Sequence, residues 1–184
     1  MSGLNAVVAV YGTHIEAEEA VKALQGGGID MRTLSIVGND SHTDEQAVGC
    51  YNIGDRTKYW GKTVGFWDGF RGLLFGSAFF VVPGIGPVLV AGPVVAWIVA
   101  ALEGGAVIRG VSVIGAGLFG MGIPKDNIIQ YETALKMDQL LLMVDGAATE
   151  VERARAIMAG TRSLNVTQHS VTLHSPEVAE TAAR

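Results

Sequence analysis

Three sets of residues in this chain have types and spacings that could do chemistry. Gly115-Ala116-Gly117-Leu118-Phe119-Gly120 follows the apolar run 111–114 with the spacing of a dinucleotide-binding turn. There the glycines let backbone approach a pyrophosphate at a helix N-terminus. That chemistry needs a helix opening within the motif and an acid about 20 residues on. Pro124 arrives four residues after Gly120 and cuts the helix short, so the motif reads as glycines for close helix packing. The second set, His14, His42, His169 and His174, has no ligand spacing such as i,i+4 on one helix. His14 falls in the first turn of a predicted helix, and His169 and His174 on an edge strand or beyond it. Third, Cys50 is the single cysteine and lies in a polar stretch with no base beside it. It reads as a free thiol, not a nucleophile, and it excludes an internal disulfide framework. No catalytic residue, metal ligand or cofactor is expected.

The elements that would position these groups fall into two matching halves. Residues 6–11 form a short apolar run of β-formers ended by Gly12. Thr13 and Glu16 have capping-box spacing, and Ala17, Ala20, Val21 and Leu24 then recur at helical intervals. Gly26, Gly27 and Gly28 stop that helix, and 33–37 reads as a second strand. The C-terminal part repeats the pattern. Residues 140–144 are continuously apolar, Asp145-Gly146 reads as a turn, and Thr149 with Glu152 has the spacing of a second capping box. Val151, Ala154, Ile157 and Met158 line one helix face before Gly160. A last strand covers about 164–173, with a shift of phase that predicts a bulge near His169. Two βαβ units predict an α+β, ferredoxin-like domain: an antiparallel four-stranded sheet with two helices on one face.

The chain composition locates an insertion between the halves. Hydrophobic residues make up 49% of 184 and charged residues 17%, and mean hydropathy is +0.35. The surplus lies in 63–123; no charged residue occurs in 72–102, 31 positions. One helix of that length would run roughly 46 Å, longer than a single crossing of a bilayer needs. Pro83-Gly84-Ile85-Gly86-Pro87 interrupts it, so the block is expected to be a helical hairpin with its turn at those five residues. Small residues recur at helix-packing intervals: Gly65, Gly69, Gly72 and Gly76 in the first arm, and Gly92, Ala96, Ala100 and Gly104 in the second. Tyr59, Trp60 and Trp67 stand where aromatic side chains would meet a membrane boundary. The expected organisation is residues 1–38 as the first half-domain, 39–62 as a polar loop and 63–123 as the hairpin. Residues 124–173 then hold a helix plus the second half-domain, and 174–184 a disordered tail. Asp55, Arg56, Lys58 and Lys62 in the polar loop suit contact with anionic headgroups, with a solvated loop of local ion pairs the nearby alternative. A net charge of −5 without any basic run argues against nucleic acid.

The stretch Tyr51-Asn52-Ile53-Gly54-Asp55-Arg56-Thr57-Lys58-Tyr59-Trp60-Gly61-Lys62 resembles one in a bacterial family of general stress proteins. So do Pro83-Gly84-Ile85-Gly86-Pro87, Gly122-Ile123-Pro124-Lys125-Asp126 and Tyr131-Glu132-Thr133-Ala134-Leu135-Lys136. The resemblance covers about residues 5–173. It implies stress association and a Gly-rich hydrophobic middle, and it brings no reaction and no catalytic residues. Three functional readings follow. The first is a non-enzymatic stress-associated protein on the cytoplasmic side of the inner membrane, its hairpin embedded in or docked on lipid. The second is a soluble homo-oligomer whose hairpins share an apolar core, with room for an apolar small molecule such as a lipid or quinone. The third is a small-ligand sensor on the α/β domain.

Overall fold

Two runs without polar alternation, one near the N-terminus and one near residue 140, can be buried only as strands covered on both faces. In the computed structural model, which describes residues 5–39, 77–104 and 110–170, they are β1 (Asn5–Tyr11) and β5 (Leu140–Gly146). They lie side by side in a six-stranded sheet with β2 (Leu34–Asn39), β3 (Ser77–Val82), β4 (Gly86–Ala91) and β6 (Asn165–Ser170). The order is β3-β4-β2-β5-β1-β6, and every neighbouring pair is antiparallel. Five α-helices accompany them among the described residues: α1 (His14–Gly26), α2 (Val94–Glu103), α3 (Val113–Gly120), α4 (Lys125–Lys136) and α5 (Ala148–Ala159). The fold class is therefore mixed α+β. α1 carries the chain from β1 to β2 across β5, and α5 carries it from β5 to β6 across β1.

Each face of the sheet has its own core. Val7, Ala9 and Tyr11 of β1 join Leu140, Leu142 and Val144 of β5 beneath α1 and α5, against Leu24 and Met158. The alternate residues, Val8, Val10, Leu141 and Met143, face Ile98 of α2, Leu118 of α3 and Ile128 and Leu135 of α4. Burial on both faces explains why these strands are continuously apolar over 6–11 and 140–144. The expected sheet of four strands covered on one face is thus extended: β3 and β4 widen it, and α2, α3 and α4 cover its second face.

The apolar block is where expectation and structure part. The turn at Pro83, Gly84 and Ile85 is present, but among the described residues it joins strands, with Val82 paired to Gly86 and Val81 to Pro87. Gly84 sits at φ +83°, and Ile85 N–H donates to the Val82 carbonyl at 3.1 Å. A proline followed by a positive-φ glycine closes a type II turn, which reverses extended chain. The Phe-Phe-Val-Val and Val-Leu-Val segments flanking it favour the pleated conformation, and β2 offers β4 an edge to pair with. The expected helical arms are corrected where they meet the turn, at 77–82 and 86–91, which are strands; 94–102 of the second arm is helical as expected, and 63–76 of the first lie outside the described residues. The following helix, α2, has 10 residues and runs about 15 Å. Among the described residues no helix is long and apolar enough to cross a membrane.

Three smaller expectations are settled by local chemistry. Thr13 and Glu16 form the full capping box on α1, with bonds of 3.3 and 3.2 Å. The second box does not form: β5 runs through Asp145 and Gly146, α5 is capped by Ala147, and Thr149 is already inside the helix. No bulge occurs at His169 either, since β6 pairs with β1 one residue to one residue from Asn165 to Ser170.

Candidate functional site

The absence of a bulge has a chemical cause. Ala6 of β1 pairs with Asp145 on one side and His169 on the other, so the three side chains project from one face in a single row. That face is the one covered by α2, α3 and α4. Polar side chains there must find partners or carry the cost of desolvation. His169 is 6% exposed, and its Nε2 lies 2.8 Å from the Tyr131 hydroxyl of α4, the rings meeting edge to face at 6.0 Å. The inward phase of β6 is therefore kept by a polar residue with a partner, where the sequence pattern looked for an apolar one. Burial holds the His169 imidazole below the usual histidine range, and it pushes the Tyr131 hydroxyl up to about 12.

Asp145 is satisfied at only one oxygen, by its own backbone N–H. Its Oδ1 is buried and makes no hydrogen bond, and burial raises its carboxyl above the ordinary carboxylate range. Beside it lies a cavity of about 10 Å³ lined by Asn5, Ala6, Trp97, Met121 and Asp145, space for roughly one water molecule. Asp145 and His169 are two strand spacings apart, about 10 Å, so they do not form an ion pair. A third buried polar group, Glu132, accepts the Ser112 N–H at 2.7 Å and so fixes the start of α3 to α4. The arrangement can tie α4 to the sheet edge and α3 to α4; a cavity this small sits far below the few hundred Å³ of a usual ligand pocket.

The glycines of 115–120 are helical. A Cβ on Gly117 would stand 2.5 Å from Ile98 Cγ1 and 2.9 Å from its Cα, and one on Gly115 would stand 2.5 Å from Glu132 Oε1. They are the places where α3 touches α2 and α4, as the packing reading expected. The second-arm stripe behaves differently. Gly92 precedes α2 at φ +96°, its Cα pressed on β2 so closely that a Cβ would lie 2.2 Å from the Leu34 carbonyl oxygen. Ala96, Ala100 and Gly104 are exposed, while Val94 and Ile98 form the face that α2 buries. Pro83, Gly84 and Ile85 make the strand turn, and Gly86 and Pro87 open β4. Gly65, Gly69, Gly72, Gly76, Tyr59, Trp60 and Trp67 lie outside the described residues, as do Cys50, His42, His174, the charged set 55–62 and the tail 174–184. Among the described residues no group of three or more His, Cys, Asp or Glu side chains is placed to hold a metal ion.

The surface carries the other candidate feature. Val81 of β3 is 75% exposed, Leu102 of α2 54% and Phe119 of α3 51%, with Val99 of α2 also exposed. These belong to the apolar segment that supplies the second-face cover. Compared with known protein families, curated proteins and solved structures, the chain gives no match.

Proposed function

We propose that the protein is a non-enzymatic assembly module, active in a stress response, whose apolar surface is buried by further copies of itself. The observation that carries this reading is the outward placement of Val81, Val99, Leu102 and Phe119 on elements whose other faces are already committed to the core. Four of the eight large apolar side chains exposed among the described residues fall in this one apolar segment, and exposed apolar side chains that adjoin in a contiguous patch are commonly covered by association. The role in stress is supported by the resemblance of residues 51–62, 83–87, 122–126 and 131–136 to the stress family. A ferredoxin-like core is supported by the order β6-β1-β5-β2, with α1 and α5 on one face and both crossovers passing over one strand. The cavity beside Asp145 takes roughly one water, so a lipid or quinone carried by such an assembly would not lie there.

A second reading, docking on the cytoplasmic face of the inner membrane, is favoured by the wholly uncharged run 94–102 of α2 with its exposed Val99 and Leu102. The net charge of −5 sets it behind self-association, since anionic headgroups attract basic segments. The test is to express the full chain, separate membranes without detergent, and measure the mass of the soluble fraction by light scattering. A defined multiple of the chain mass without lipid is the expected result. A chain that stays monomeric and floats with phosphatidylglycerol vesicles would replace the first reading with the second.

A further inference from the structure

We infer that α2, α3 and α4 form a cover that lifts from the sheet as one unit while α1 and α5 stay in place. The inference stands apart from the self-association reading. Its first support is the way buried polar side chains divide between the two faces. Among the described residues these are Ser35, Asn39, Glu132 and His169, and all four lie on the second face or within its cover. Ser35 Oγ accepts the Val94 N–H at the start of α2, at 3.1 Å. Asn39 Nδ2 donates to the Ile85 and Leu135 carbonyls at 3.1 and 3.2 Å, and Glu132 and His169 hold α3 and α4 as described above. Such bonds gain little on closing, because water replaces them when the cover opens. Two further atoms of that face disfavour the closed form outright. Asn39 Oδ1 and Asp145 Oδ1 are buried without a hydrogen-bond partner, and opening returns both to water. On the first face the Tyr11 hydroxyl is bonded to Thr161 at 2.9 Å, and no buried side-chain polar atom described there lacks a partner.

The second support is what each helix holds on to. α5 lies closely on β1, β5 and β6, whereas α3 packs on α2 and α4 and on no strand to a comparable extent. Gly117 against Ile98 joins α3 to α2, and Gly115 with the Ser112–Glu132 bond joins it to α4. α2 fully buries only Val94 and Ile98. Three helices that grip one another more than the sheet leave it together, and sub-global openings of this kind are where proteins keep their moving parts. The strands keep their ladders to one another, so the sheet with α1 and α5 persists. What the opening presents is an apolar sheet surface, Val8, Val10, Leu141 and Met143, that the closed fold hides.

The experiment is native-state amide hydrogen exchange on the full chain across a series of sub-denaturing urea concentrations. The slowest amides of α2, α3 and α4 are expected to share one opening constant and one urea dependence. That constant should be at least tenfold larger than the one governing α1 and α5. Met158→Ala removes a fully buried side chain from the first-face core whose contacts survive the lifting of the cover. It should therefore speed exchange in α1 and α5 at least tenfold and leave α2, α3 and α4 unchanged. A single opening constant for all five helices overturns the inference, and so do three separate constants for α2, α3 and α4. Exchange in α2, α3 and α4 that accelerates with Met158→Ala as much as in α1 and α5 overturns it as well. Should Met158→Ala fail to fold, the wild-type urea series decides alone. Neither result alters the self-association reading, which the mass of the soluble fraction tests.

Discussion

His169 and Asp145 stand in one row of the sheet, and burial treats them oppositely because it disfavours whichever form is charged. For His169 the folded-state value lies below the ordinary 6.5, so the unfolded chain binds the extra proton first. Its contribution to stability is present above about pH 6.5 and is lost as pH falls through that value. A urea titration series from pH 7.5 to 5 should therefore show declining stability, and His169→Gln should flatten the decline; an unchanged slope would remove His169 as its source. Tyr131→Phe leaves the buried imidazole nitrogen without its partner and is expected to cost about 1–3 kcal/mol at pH 7.5. Asp145 runs the other way. Its folded-state value is raised above 3.8, so the folded chain holds its proton longer, and stability is lost as pH rises through that raised value. Asp145→Asn should accordingly stabilise the protein at pH 7, with the gain shrinking towards pH 4. Equal unfolding midpoints for Asp145→Asn and wild type at pH 7 would mean the carboxylate has found a partner.

At the scale of elements, the second-face cover depends on backbones lying close together. Gly117 lets α3 approach α2 at Ile98. Gly117→Val is expected to cost about 1–3 kcal/mol by overpacking that contact, read as a lower urea midpoint. Two turn glycines separate backbone conformation from packing. Gly84 has nothing within 4 Å of a would-be Cβ, so Gly84→Ala meets only the positive-φ cost, about 1 kcal/mol. Gly92 adds a clash with the Leu34 carbonyl, and Gly92→Ala should lose clearly more; similar losses for the two would show that β2 yields easily. What could be read from sequence divides along the same line. The α1 cap, the strands β1 and β5 and the reversal at Pro83-Gly84 were legible because each depends on residues close in the chain. The arms of the reversal were not. With Phe79, Phe80, Val81, Val82, Val88, Leu89 and Val90 all apolar, neither a period of two nor one of 3.6 stands out, and the glycine spacing nearby suggested helices. The Tyr131, Asp145 and His169 set was equally hidden, since only the pairing of Ala6 with both outer strands brings the latter two into one row.

For the molecule as a whole, the sheet order means that partners lie far apart along the chain. β1 pairs with β5, as Asn5 with Gly146, and with β6, as Asn5 with Ser170. β2 waits for β4 and β5. The consequence is one of timing. On a ribosome the first strand, apolar on both faces, emerges more than a hundred residues before either neighbour, and at about 5–20 residues per second it spends several seconds without one. Closing such long loops before any pairing rewards it also makes folding slow, in the millisecond-to-second range of topologies dominated by distant contacts. A nascent chain arrested before residue 140 should therefore be degraded readily by added protease. One released after residue 170 should resist it, its N-terminal strand at last held on both sides.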